Sequence, residues 1–203
     1  MSRIEPQGAH RLILLRHGQT IWNAEGRFQG QTDTPLDEHG IAQAAAAAAV
    51  LAKEPVSRVV ASDLSRARLT GRALADLLGL ELEVDPRLQE MHMGSWDGLI
   101  PHSFAEFRAA EHPDDLRRSE TGEHVRETAD RVAAALLDHV ASTPDGGLLV
   151  VATHGIAARV AMCRLLDIPF PLWRTFGALG NCCWIDLGYH RGAWRIDGYN
   201  RSA

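Results

Sequence analysis

Three short apolar runs punctuate the chain, Leu12 to Leu15, Val59 to Ala61 and Leu148 to Ala152, each followed by a polar residue or glycine. Runs of that length and composition predict buried strands. Longer stretches with helical character lie between and after them: Asp37 to Lys53, Asp63 to Leu78, His124 to Val140 and Ile156 to Leu166. Asp37 follows Pro35-Leu36 as an N-cap, and the alanines from Ala44 to Ala49 supply helix propensity. Gly79 suits a left-handed C-cap ahead of a strand at Leu82 to Val84. Cys182 to Leu187 and Trp194 to Tyr199 flank a glycine-rich turn and predict an antiparallel hairpin. Alternation of strand and helix predicts an α/β fold with a mostly parallel mixed sheet, helices on both faces and a C-terminal antiparallel hairpin. The stretch from Glu90 to Gly122, with weak periodicity and two prolines, predicts short helices and loops over one end of the sheet, where substrate contacts are expected.

A chain of 203 residues buries one sizeable core, so residues 1–203 are expected to form a single domain. The formal charge of -5 argues against nucleic acid or an anionic membrane as partner, both being repelled at long range. It leaves room for a small anionic ligand bound by local charge in a cleft. The opening residues Met1 to Pro6 lack the apolar run of a secretory signal, and no later stretch is long and apolar enough to span a bilayer. A cytoplasmic protein is expected. Cys163, Cys182 and Cys183 make a poor disulfide set and read as small buried hydrophobes, the adjacent pair on opposite faces of a strand. Neither Cys-x-x-Cys nor His-Glu-x-x-His occurs, so no strong metal signature is present and no metal or other cofactor is expected.

Two of the predicted strands end alike, in Arg16-His17-Gly18 and in Thr153-His154-Gly155. Ligands of open α/β sheets bind outside the carboxyl ends of strands, so two imidazoles delivered there are able to share one crevice. A single such histidine reads as a strand-end residue bonded to backbone; a pair points to function. The glycine after each histidine is read as letting the backbone turn sharply and bring its N–H close to a ligand. Ser62-Asp63-Leu64-Ser65-Arg66-Ala67-Arg68 opens a helix after the Val59 strand and sets basic side chains beside a positive helix end, Arg66 being preferred over Arg68. Glu90 and His92 stand in a loop with Gly94 and Gly98, a weak signal alone.

Together these segments resemble one family. Arg16-His17-Gly18-Gln19-Thr20, with Asn23, Arg27, Gln29-Gly30, Asp33, Pro35-Leu36 and Gly40, is similar to the amino-terminal signature of the histidine phosphatase superfamily, also called phosphoglycerate-mutase-like. The likeness continues through Ser62 to Ala67 with Thr70, through Glu90, Gly94, Trp96 and Gly98, and through His154-Gly155, covering about Leu12 to Leu166. The resemblance implies a three-layer α/β/α fold and a metal-free phosphohistidine mechanism. In it His17 is the nucleophile, Arg16, Arg66 and His154 surround the phosphoryl group, and Glu90 is the proton donor. Thr20, Asn23, Gln29, Gly30 and Gly155 are expected to contact substrate, with His92 at the entrance.

Physical chemistry fits each role. Imidazole attacks phosphorus only when neutral, and neighbouring guanidinium groups disfavour its protonated form. Those guanidinium groups also hold the non-bridging oxygens through charge-assisted bonds. A carboxyl group beside a phosphate dianion is pushed toward the protonated form and can protonate the leaving oxygen. Within the family, residues 29–35 and 90–98 look more like the broad phosphatase branch than the glycolytic mutases, and the chain lacks the mutases' extra length. Gly177 to Trp184, with Trp194 to Asp197 and Asn200, is similar to bacterial phosphatases acting on glucosyl-3-phosphoglycerate. Gln19, Gly71 and His124 depart from the usual residues without removing a catalytic group; His124 reads either as a change in what the pocket admits or as a solvated helix start. The expected partner is a small phosphorylated metabolite. Trp173 and Phe176 read as an exposed apolar edge for a homodimer. Rival readings are a phosphoglycerate mutase and an inactive phospho-ligand binding module; retention of both His17 and Glu90 argues against the latter.

Overall fold

The computed structural model describes residues 8–101 and 119–203. Its six strands are β1 (Arg11–Arg16), β2 (Val56–Ala61), β3 (Leu82–Val84), β4 (Leu148–Thr153), β5 (Trp184–His190) and β6 (Ala193–Arg201). The helices are α1 (Ile21–Ala24), α2 (Glu38–Leu51), α3 (Ser65–Leu78), α4 (Val125–Ser142) and α5 (Gly155–Leu165), with short 3-10 turns at Pro86–Leu88, Gly94–Trp96 and Phe170–Thr175. One sheet holds the strands in the order β3-β2-β4-β1-β5-β6. The first four are parallel to one another and β5-β6 is the antiparallel hairpin, β5 also running antiparallel to β1.

Alternation along β1 divides the core in two. Leu12 and Leu14 pack with Val132, Leu136, Ala157 and Ala161 of α4 and α5. Ile13 and Leu15 pack on the other face with Ala44, Ala48, Leu74 and Ala75 of α2 and α3. All four β1 side chains are at most 1% exposed, and full burial of each is worth about 1.5–3 kcal/mol. A strand buried on both faces therefore reads as a continuous apolar run. The helices on both faces follow the expectation from the pattern, and the three layers that from the resemblance.

Element boundaries differ where a turn or cap comes from elsewhere in the chain. Helix α3 starts at Ser65 with Leu64 at the N-cap, which offers no side-chain acceptor. The capping oxygen is that of Asp33, which accepts from both Ser65 N and Ser65 Oγ at 2.7 Å. Strand β5 starts at Trp184, and Cys182 (φ 51°) lies in the turn before it. The adjacent cysteines are thus not strand neighbours on opposite faces, because the chain must first reverse to pair Trp184 with Leu15. Trp173 is buried, with Arg159 and Arg174 stacked over its ring at 4.7 and 5.6 Å. The expectation of an exposed Trp173 is corrected: the guanidinium groups cover it. Of the expected loop region, residues 102–118 lie outside the described residues.

Candidate active site

Adjacent parallel strands place the two histidines. β1 and β4 pair in register up to Arg16 and Thr153, so His17 and His154 leave the sheet at the same level. Their ring centroids are 5.2 Å apart with planes inclined by 60°, and both residues are buried. The backbone of His17 is held on two sides: its N–H donates to Thr153 O (3.0 Å), and its carbonyl accepts from Cys182 N (3.2 Å) and Asn181 Nδ2 (3.1 Å). His17 Nδ1 lies 2.7 Å from Gly18 O. A carbonyl only accepts, so Nδ1 carries the proton and Nε2 keeps its lone pair. Burial, then the charges of Arg16 and Arg66, hold this imidazole well below its usual range. Burial is the larger cause, ahead of the guanidinium groups invoked from the sequence. His154 is likewise held neutral by burial, then by Arg66, His17 and Arg16, and its Nε2 lies 3.0 Å from the buried Ser62 Oγ.

Arg16, His17, Asn23, Gln29, Gly30, Arg66 and Glu90 line a cavity of about 130 Å³, joined by Arg27, Phe28, Met93 and Ile156. Arg66 is fully buried, and it donates Nη1 to Thr32 O and Nη2 to Gly30 O, both at 2.7 Å. Burial pulls its guanidinium down to about 10, which leaves it charged at neutral pH. Arg16 donates Nη1 to Leu179 O at 2.5 Å. The Nε atoms of both arginines are buried and make no hydrogen bond among the described residues. Two N–H donors without acceptors, on two cations lining one cavity, suit an oxyanion. Asn23 Oδ1 accepts from Thr20 N and Asn181 Nδ2. Two N–H donors on the oxygen fix the amide's orientation and leave Nδ2 as its donor end.

Glu90 comes from the segment after β3, and its carboxylate lies against the start of α5. Its two oxygens accept from Met91 N (2.9 Å), Ile156 N (3.0 Å) and Ala157 N (2.9 Å). The first turn of a helix has backbone N–H groups without intrahelical partners, and a carboxylate satisfies them. That contact brings an acid from one loop to the helix that follows His154.

The sequence profile of the histidine phosphatase superfamily (branch 1) matches residues 12–202. The chain belongs to that superfamily. Glucosyl-3-phosphoglycerate phosphatase of Mycobacterium tuberculosis is 37% identical, with 96% of each chain covered. A mycobacterial glucosyl-3-phosphoglycerate phosphatase structure in complex with VO3 superposes with a TM-score of 0.88 at 38% identity, covering 95% of this chain and 100% of that one. A probable phosphoglycerate mutase of Yersinia pestis is 33% identical, over 93% of this chain and 89% of its own. This chain is a phosphatase of the superfamily, and the comparisons favour that activity over the mutase alternative.

In this phosphatase some expected site residues stand behind the cavity wall. Thr20 is fully buried and donates Oγ1 to Gln29 Oε1 (2.9 Å). Gly155 is the first residue of α5 and packs on Arg16. His92 is not among the lining residues; its N–H donates to Glu123 Oε2 (3.2 Å) and its carbonyl accepts from Glu123 N (2.8 Å). His124 caps α4, its Nδ1 accepting from Arg126 N while Glu127 accepts from His124 N, so its departure from the usual residue is a helix cap. Gly18 N donates to Thr70 Oγ1, so this glycine serves packing and not a ligand. Sequence reading did not single out Asn181, which bridges His17 and Asn23; its place in the Gly177 to Trp184 segment, just before the hairpin, was the signal. A larger cavity of about 380 Å³ between α4 and α5 is lined by Arg126, Asp130, Arg164 and Asp167 among others. Arg164 there pairs with Asp130 at 2.8 Å, and none of the expected catalytic residues reaches it.

Proposed function

We propose that this phosphatase hydrolyses a small phosphate monoester of the phosphoglycerate or sugar-phosphate type, glucosyl-3-phosphoglycerate foremost, through a phosphohistidine on His17. The carrying observation is the neutral His17 ring with its Nδ1 bonded to Gly18 O, set in one cavity with Arg16, Arg66 and Glu90. Nε2 attacks phosphorus, an N–P bond forms as the P–O bond to the leaving group breaks, and Glu90 gives its proton to the departing oxygen. Water then attacks the phosphohistidine, Glu90 takes a proton from it, and the N–P bond breaks to release phosphate and neutral His17. Arg16, Arg66 and the Asn23 amide hold the non-bridging oxygens during both transfers. His154 is not among the cavity-lining residues, but its ring stands 5.2 Å from that of His17, and it gains a proton when the phosphate dianion offsets its neighbours' positive charge. The reaction so written uses no metal or cofactor.

The substrate class comes from the relatives' names and from the carboxyl-terminal segment with Asn181, whose likeness is to that subgroup. Residues 1–203 act as one catalytic domain. Three free thiols suit a reducing cytoplasm, and no described helix is long and apolar enough to cross a membrane. A homodimer would pair copies through the edge at Leu172 and Phe176, which sedimentation tests. The functional test is phosphate release from a panel of phosphomonoesters in EDTA, with His17→Ala as control. Acid-labile phosphoenzyme and release from glucosyl-3-phosphoglycerate are expected. Undiminished turnover by the control, or loss of activity in EDTA, contradicts the mechanism.

A further inference from the structure

Arg131 of α4 and Glu123, just ahead of that helix, form an ion pair that lies outside the cavity and has no part in the chemistry above. Arg131 Nε donates to Glu123 Oε1 (2.9 Å) and Nη2 to Glu123 Oε2 (2.7 Å). Arg131 Nη1 also donates to Arg87 O (2.8 Å) and Gln89 O (3.0 Å), and Nη2 approaches Glu90 O at 3.4 Å. Glu123 in turn accepts from His92 N through Oε2 and donates its own N–H to His92 O. One guanidinium and one carboxylate therefore take backbone groups of residues 87, 89, 90 and 92, on both sides of Glu90. Gln31 Nε2 also donates to Glu90 O, at 3.1 Å.

This density of bonds is unlike an ordinary surface ion pair. The Arg131 side chain is 24% exposed and that of Glu123 14%. A planar guanidinium with five fixed donors can serve carboxylate and carbonyls together, which an ammonium cannot. The segment it holds carries a side chain whose two oxygens must meet both the α5 backbone and the leaving group. Proton transfer is sensitive to such placement: an error of about 1 Å costs on the order of 10²-fold in rate.

We propose that Arg131 and Glu123 are positioning residues that fix the backbone of Glu90 so that its carboxyl meets the leaving oxygen. The inference rests on the reading of Glu90 as the acid. It predicts a defect in the first transfer, read as kcat/KM, that is confined to leaving groups needing a proton, since p-nitrophenolate departs without one and an alkoxide does not. Hydrolysis of the phosphohistidine, which also uses Glu90, is common to both esters and enters kcat alone.

The experiment compares turnover of p-nitrophenyl phosphate and of 3-phosphoglycerate by the wild type and by Arg131→Gln, Arg131→Lys, Glu123→Gln and Glu90→Gln, with vanadate inhibition measured for each. Expected for Arg131→Gln is a fall in kcat/KM of about 10- to 100-fold on the alkyl ester and under about 3-fold on the aryl ester. Vanadate affinity stays within about 3-fold of the wild type, because the anion is held by other arginines. Arg131→Lys regains little of the loss. A general loosening of the fold, or the loss of Arg131's positive charge near His154, would lower both esters together. Equal losses on the two esters, or no loss, in both Arg131→Gln and Glu123→Gln overturn the clamp. Should Glu90→Gln itself show no preference between esters, the acid reading falls and the clamp with it. Should Glu90→Gln be selective and the clamp variants not, only the clamp falls. Glu123→Gln keeps the contacts of Arg131 to the carbonyls and serves where Arg131→Gln fails to fold.

Discussion

The ring of His17 faces that of His154 at 5.2 Å between centroids, each carried by one of two neighbouring parallel strands in register. Both rings are buried and held neutral. Two neutral imidazoles buried side by side make the protein sensitive to acid.

That sensitivity has a defined sign. Each histidine takes a proton in the unfolded chain as pH falls through about 6.5, whereas the folded chain resists it until well below. Stability is therefore flat with respect to these two groups above about pH 6.5 and falls below it, by up to about 2.7 kcal/mol per pH unit for both together. Asp85 and Glu123, held below their usual range by Arg87 and Arg131 against the opposing effect of burial, add to the loss only nearer pH 4. Urea unfolding at pH 7.5 and 5.5 should show a difference that shrinks by roughly half in His154→Asn. An unchanged difference refutes the assignment.

Arg66→Lys should lower kcat/KM by about 10²–10³-fold and weaken vanadate inhibition in parallel. Arg66 spends both Nη groups on the carbonyls of Gly30 and Thr32 and keeps Nε, so a single ammonium cannot do both tasks. Steady-state kinetics with a melting curve as folding control decide the matter; retained vanadate affinity would argue against it.

The two His-Gly pairs should respond differently to alanine. A Cβ on Gly18 would lie 2.3 Å from Gly40 O, a backbone atom, whereas on Gly155 the nearest atom is Arg16 Nε at 3.5 Å. Gly18→Ala is expected to cost about 1–3 kcal/mol, and Gly155→Ala to stay within about 0.5 kcal/mol of the wild type. Thermal unfolding reads both, and equal shifts would contradict the packing argument.

Asp33→Ala should destabilise by about 0.5–2 kcal/mol, the usual range for a lost helix cap. Its oxygen serves the first turn of α3 from 32 positions away. Asp33→Asn keeps an acceptor and is expected to recover most of the loss in chemical denaturation; an Asn variant as unstable as Ala would remove the cap from the account.

The local elements were legible in the chain, as were the residues proposed to react. Leu12 to Leu15 reads as a strand buried on both sides because all its residues are apolar, and Asp37 to Lys53 as a helix because its cap and alanines are local properties. Those signals act over a few residues, where periodicity and propensity operate. Boundaries failed where a distant residue supplied the bond, as Asp33 does for α3, or where the chain had to reverse, as at Cys182.

Everything that makes the cavity a site depends on long-range packing. Nothing local states that β4 lies beside β1, in a register that brings His154 level with His17. Nor does it state that Glu90 lies on the start of α5, or that the two glycines after the histidines do different work. Strand order and helix contact are settled by burying both faces of one sheet at once, a condition on the whole chain that no window of sequence contains.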